Sequence, residues 1–369
     1  MNLLERLGVE IGVRQAGTAA AAAAAEAVAE ALRELGLEPR FQEFALLRYE
    51  AEQPELEIEG DAWDAGPCMY ANPTEGLAEG RVRRLGAFSL GGFFPEADVF
   101  AVEDDSGREL ARLHMSPFGG AAIPFLTGVR QVAVAPTVFI SGADSERLRG
   151  LEGARARVGV RGRFVPGCRD RNVIAELRGE SEEAIVVSAH YDSVWRGPGV
   201  IDNATGVEGL RRLAEQLAER GHIRSLLFCC FGAEEVGCIG SRQFVSEAQI
   251  SGELRRIKGC VNLDSIAYGE RLELQASPAA LAERLSAFAE ELGLGSRYLL
   301  SPGEAGPGVD AYAFAERGIP AATICHFPYD EYHLPSERLE LVDPQRLADS
   351  VALAALLVES LLEEPVHPA

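Results

Sequence analysis

Lysine is almost absent from this chain: Lys258 stands alone among 369 residues, and arginine supplies the remaining basic charge. Lys and Arg together number 35 against 57 Asp and Glu, a net charge of −22. A face that binds phosphates needs clustered cations, so the balance argues against nucleic acid or an anionic membrane as partner. Long apolar runs are missing too. No stretch reaches the roughly 20 uncharged residues a membrane span requires. The alanine run at 19–25 leads into Glu26, Glu30 and Glu34, which break any signal-peptide core, so no secretory leader is expected. Cysteines are few and odd in number, at seven, and Cys229 and Cys230 adjoin in an apolar run. They read as small buried hydrophobes rather than a disulfide framework. These absences set the expectation of a cytoplasmic protein with reduced thiols.

What is present is ordinary for a globular chain, 47% hydrophobic and 25% charged, with length enough for one large domain and a smaller one. Residues 17–36 read as a helix capped by Thr18 and ended by Gly36, and 40–47 as a strand. From about 49 to 163 the texture changes to short alternating runs broken by turns such as Pro67-Cys68 and Asn72-Pro73. From Asn172 strands and helices alternate. Strands are expected at 173–177, 184–189, 225–231, 260–263 and 321–325. Helices are expected at 206–221, 279–293, 311–317 and 344–362. The fold class is therefore α/β: a mixed, mostly parallel sheet flanked by helices, with an inserted mostly β domain. The domain reading is 1–48 and 165–369 for the larger unit and 49–164 for the insertion.

Five short segments then carry chemistry: His190-Tyr-Asp192, Asp202-Asn203, Glu234-Glu235, Asn262-Leu-Asp264 and Tyr332-His333. Alone, each is unremarkable, as a hydrogen-bonded histidine, a helix cap or a solvated acidic pair. In one order, most of them just past an apolar run, they suit the carboxyl edge of an α/β sheet, where functional groups gather. Imidazoles and carboxylates without thiolate are the ligands of catalytic zinc. Two zinc ions about 3.5–4 Å apart need a shared carboxylate. Asp202, in a Gly-rich loop before a helix, is the expected bridge. His190 and Asp264 would complete one metal, and Glu235 and His333 the other. Asp192 would fix the His190 tautomer, and Glu234 would act as general base to the metal-bound water. Cobalt or manganese could replace zinc. His114 and His222 read as surface or loop residues, and His326 as a weaker ligand candidate than His333.

At these residues the chain resembles the zinc aminopeptidase family that includes bacterial leucyl aminopeptidases, aminopeptidase Y, glutamate carboxypeptidase II and the glutaminyl cyclases. The likeness lies in Ala189–Ser193, Gly199–Gly206, Ala233–Ser241, Asn262–Asp264 and Tyr332-His333, and extends to residues 14–44. It implies a co-catalytic zinc pair, an eight-stranded mixed sheet and removal of residues from a peptide end. The family's tyrosine near the reacting carbonyl carries over to Tyr332. Asp310 stands where members often have Asp-His, here Asp310-Ala311, and is expected beside the ligands. Residues 49–165 resemble more faintly a protease-associated module, best at 136–144. The expected activity is a two-zinc aminopeptidase on peptide substrates. The alternatives are a carboxypeptidase or dipeptidase, for which Arg196 and Arg297 are candidate carboxylate clamps, then a glutaminyl cyclase-like acyltransferase, then a non-catalytic binding protein. Oligomeric state is left open.

Overall fold

The computed structural model describes residues 2–89, 96–116, 125–126, 135–218 and 221–363. His367, read as part of the tail, lies outside them. The chain divides into two compact units: Met1–Ala45 with Arg169–Tyr329 and Pro335–Ala369, and Leu46–Cys168 with Asp330–Leu334. The boundaries thus fall at 45 and 169 rather than 48 and 165. Both lie inside long strands, Arg40–Ala51 and Gly162–Leu177, where no change of composition marks them. The segment carrying Tyr332 and His333 groups with the second unit, against the expected assignment of 165–369 to one domain.

The eight-stranded sheet is built from β1 (Arg40–Ala51), β2 (Gly162–Leu177), β3 (Ala184–His190), β4 (Ser225–Phe231), β5 (Ile257–Leu263), β6 (Arg271–Ser277), β7 (Leu299–Gly303) and β8 (Ala321–Phe327), in the order β1-β2-β4-β3-β5-β8-β6-β7. Strands β4, β3, β5 and β8 run parallel, whereas β2 and β6 are antiparallel to their neighbours β4 and β8. β3 is central and buried along its whole length. That explains the apolar run Ala184–Val187 with which it begins, since both faces of a parallel strand are covered. Burying a side chain such as Ile185 or Val187 contributes about 1.5–3 kcal/mol.

Helices cover the sheet. In α1 (Ala19–Glu34) the Thr18 hydroxyl accepts from Ala21 N at 3.2 Å, and Ala21, Ala24, Ala25, Val28 and Leu32 form the buried stripe. The helix stops because Gly36 takes φ +78°, a conformation that costs glycine nothing. α2 (Gly206–Ala218) buries Leu210, Leu213 and Leu217, the face its spacing specifies. α3 (Ile239–Ser251), α4 (Ala279–Glu291), the short α5 (Tyr312–Ala315) and α6 (Pro344–Glu363) complete the layers.

The second unit is mostly β, a nine-stranded sheet around Ile58, Phe100, Leu113, Val138 and Val158. Its main strands, Ala78–Ser89, Glu96–Glu103 and Glu109–Met115, pair antiparallel. His114 lies in the last of these, not on a surface loop. Its ring meets Phe139 at 5.4 Å, and burial pushes its pKa down to about 4. Six cysteines are buried and Cys168 is half-buried, all as free thiols. No helix among the described residues is long and apolar enough to cross a membrane.

Candidate active site

Three adjacent parallel strands assemble the site. β3 ends at His190, β4 is followed by Glu234 and Glu235, and β5 by Asp264. Their register sets His190 opposite Phe231 and Ser188 opposite Asn262, so these segments emerge at one edge. His190 Nε2 lies 3.0 Å from Asp202 Oδ1, 3.4 Å from Asp264 Oδ1 and 4.0 Å from Glu234 Oε2. Ligand atoms of His190, Asp202 and Glu235 all fall within 4.8 Å of one another.

Asp202 sits in the tight segment Val200–Thr205, whose backbone leaves helical angles at Asp202 and Asn203. The Asn203 side chain ties this segment to β5. Its Nδ2 donates to Leu263 O at 2.8 Å, and its Oδ1 accepts from Ser265 N at 3.1 Å and Gly206 N at 2.8 Å. The sequence offered Asp202-Asn203 as a helix cap, which the Gly206 contact matches, but gave no sign of the tie to β5.

Asp192 is buried and faces His190, but the Nδ1–Oδ1 separation is 3.5 Å, at the outer limit of a hydrogen bond. Its shorter bonds go elsewhere. Oδ1 accepts from Glu234 N at 3.0 Å and Oδ2 from Glu235 N at 3.3 Å, so Asp192 holds the loop bearing both glutamates. Cys238 Sγ donates to Glu234 Oε1 at 3.3 Å, a contact with no sequence signal.

Burial shapes the charges. It would lower the His190 pKa, but the Asp264 and Glu234 carboxylates outweigh it and hold the imidazole well above its ordinary value. Burial raises Glu234 well above the carboxylate range; His190 opposes this, while Asp310, Glu235 and Asp264 add to it. Asp310, fully buried just before α5, is pushed up to about 7, chiefly by burial. Arg14, also fully buried, is lowered to about 10 by burial, against the opposing pull of Glu337, Asp192, Asp202 and Glu235. The site is therefore rich in buried carboxylates and short of balancing positive charge.

A divalent cation fits these residues. Ligand atoms each about 2 Å from one tetrahedral zinc lie about 3.3 Å apart, close to the 3.0 and 3.4 Å separations around His190 Nε2. The donors are imidazole nitrogen and carboxylate oxygen, the catalytic set.

Tyr332 and His333 belong to the second unit. His333 is buried with φ +60°, and its ring stacks on Tyr332 with centroids 3.8 Å apart. His326 is not gathered into the metal-type cluster of the described residues. Its Nδ1 lies 3.1 Å from Arg346 Nη1, and its ring meets Tyr298 edge-on at 5.0 Å. His222 lies in the loop after α2, its Nε2 2.7 Å from Leu217 O.

A model of peptidase family M28 matches residues 172–358, just over half of the chain. The chain belongs to peptidase family M28. The M28 region takes in His190, Asp202, Glu234, Glu235, Asp264 and His333, and leaves out Arg14 and most of the second unit. A "Probable lipoprotein aminopeptidase LpqL" of Mycobacterium tuberculosis is 26% identical over 69% of this chain and 55% of its own length. Aminopeptidase YwaD of Bacillus subtilis is 29% identical over 50% and 43%. The chain thus spans about half the length of the curated relatives it matches. Among solved structures, BSAP, a zinc aminopeptidase from Bacillus subtilis, superposes with a TM-score of 0.72 at 23% identity, over 99% of this chain and 95% of that one. A Fimbriiglobus ruber glutaminyl cyclase gives 0.57 at 18% identity, over 97% and 92%. At these identities the likeness establishes a shared α/β fold with a mixed sheet.

Proposed function

We propose that this M28 chain is a metal-dependent aminopeptidase with a co-catalytic zinc pair, acting on the N-terminal residues of peptides. The observation that carries the reading is the position of His190 Nε2, 3.0 Å from Asp202 and 3.4 Å from Asp264, with a Glu235 oxygen in the same cluster. His190 and Asp264 would hold one zinc, Glu235 and His333 the other, and Asp202 would be shared. His333 enters from its sequence motif alone. When bound, zinc polarises a carbonyl and makes water more acidic near neutral pH.

The residues of the chain do the rest. Glu234, on the loop fixed by Asp192, is the base that takes a proton from the attacking water and returns it to the departing amine. The carboxylates around it are of the right charge for the free α-ammonium of a peptide. Tyr332 is proposed to hydrogen-bond the reacting carbonyl, on family resemblance. The carboxypeptidase reading is weaker, because Arg297 is already engaged: Nη1 lies 3.2 Å from Asp349 Oδ1, and Nη2 donates to Leu292 O at 3.0 Å. A reducing, cytoplasmic setting is proposed from the seven free thiols.

The test is metal content by mass spectrometry beside hydrolysis of aminoacyl-nitroanilides before and after chelation. About two zinc per chain, with activity lost on chelation and restored by zinc, supports the reading. A zinc-loaded chain that hydrolyses no aminoacyl substrate would sink it.

A further inference from the structure

We infer that Arg14 and Glu337 are positioning residues, an oppositely charged pair that grips the loop 194–202 and so sets Asp202 against His190. This rests on the metal-dependent reading above.

Arg14 comes from the N-terminal segment and is fully buried, yet almost every donor of its guanidinium is spent on the backbone around the site. Nε donates to Tyr191 O at 2.5 Å, Nη2 to Gly199 O at 2.7 Å, and Nη1 to Pro198 O and to Gly12 O at 3.1 Å. Tyr191 directly follows His190, and Pro198 and Gly199 lead into Asp202. One rigid fork therefore fixes the chain just after His190 and just before Asp202. The main chain adds to it, with Arg14 N donating to Ser193 Oγ at 3.1 Å and Ser193 Oγ donating to Gly197 O at 2.9 Å.

Glu337 holds the same loop by its opposite polarity. Its Oε2 accepts from Ile201 N, the amide next to Asp202, at 3.2 Å, and its Oε1 accepts from Tyr329 Oη at 2.9 Å. Of the carboxylates acting on the Arg14 charge, Glu337 is the strongest, ahead of Asp192, Asp202 and Glu235. The loop is packed to match. Gly199 has φ +59°, and a Cβ there would come within 2.5 Å of Asp202 O and 2.9 Å of Arg14 Nη2. A lysine could not replace the arginine, because three donors on one nitrogen cannot reach carbonyls spread as these are.

The test uses the full chain, zinc-free and zinc-loaded, with Arg14→Lys, Glu337→Ala and Glu337→Gln. The readouts are amide hydrogen exchange over 199–206 in the zinc-free protein, zinc affinity by competition with a chromophoric chelator, and kcat and KM on leucine p-nitroanilide. Arg14→Lys and Glu337→Ala should speed exchange at Ile201 and its neighbours. They should weaken zinc binding or lower kcat by roughly 10–100-fold, with KM little changed. Glu337→Gln restores an acceptor for Ile201 and should recover the exchange protection. Variants that melt at lower temperature but keep wild-type exchange over 199–206 and wild-type zinc affinity would overturn the inference. If Arg14→Lys does not fold, the two Glu337 variants decide. If the wild type neither binds zinc nor hydrolyses the substrate, the functional reading falls, while the exchange measurement still decides the clamp.

Discussion

The Asp192 carboxylate accepts the backbone N–H of Glu234 at 3.0 Å, so the residue facing the His190 imidazole also sets the position of the proposed base. Asp192→Asn would keep the shape but turn one acceptor into a donor, and that donor would face either the Glu235 N–H or the imidazole. Zinc affinity or kcat/KM should fall by about 10–100-fold. Chelator competition and steady-state kinetics on the same preparation check this, with circular dichroism confirming that the fold is intact.

Glu234→Gln removes the proton acceptor and leaves the zinc-type ligands untouched. The expected outcome is a kcat lower by roughly 10²–10⁴-fold, with zinc content unchanged by mass spectrometry. A variant that turns over at the wild-type rate would reassign the base.

Removing metal should destabilise the fold, because buried carboxylates are then left facing one another. Binding at a ligand concentration 1,000 times Kd stabilises by about 4 kcal/mol. Calorimetry should therefore show a clear drop in melting temperature after chelation, reversed by zinc. An unchanged melting curve would mean the cluster is held by protons instead.

His326 gives a pH dependence away from the metal-type cluster. Burial, with Arg346 adding to it and Asp343 and Asp349 opposing, pushes this imidazole down to about 3. The unfolded value is about 6.5, so the unfolded chain takes up the proton first. The stability contributed by the neutral ring is whole above that value and shrinks as pH falls towards the folded one. Between pH 7 and pH 5 the loss is about 2 kcal/mol. The Arg346 guanidinium can only donate, so Nδ1 accepts, and an asparagine oxygen can stand in for it. Urea unfolding of His326→Asn should show a pH slope flatter by about that amount.

Much of this fold was legible because its central strands obey simple rules. An unbroken apolar run, as in Ser225–Phe231, has few alternatives to a buried parallel strand, and the helix at Gly206 shows its core face in Leu210, Leu213 and Leu217. The strands Arg271–Ser277 and Leu299–Gly303 were not visible. The first carries Glu273 and Gln275 at buried positions, and the second is a largely exposed edge. Both departures break the pattern that marks a strand. In the candidate site, His190, Asp202, Glu235 and Asp264 were singled out by type and spacing, and the structure sets their side chains near one another. The roles of Arg14, Glu337 and Cys238 and the tie of Asn203 to β5 were not legible, because these residues act through backbone atoms or single contacts fixed only by the folded chain.

The burial of six cysteines leaves Cys168, on the long strand Gly162–Leu177, as the one thiol partly open to solvent. A maleimide reagent added to the native protein therefore has a single point of attack. A fluorophore or spin label can be placed there without altering any residue, and labelling beyond that point becomes a direct count of molecules whose core has opened.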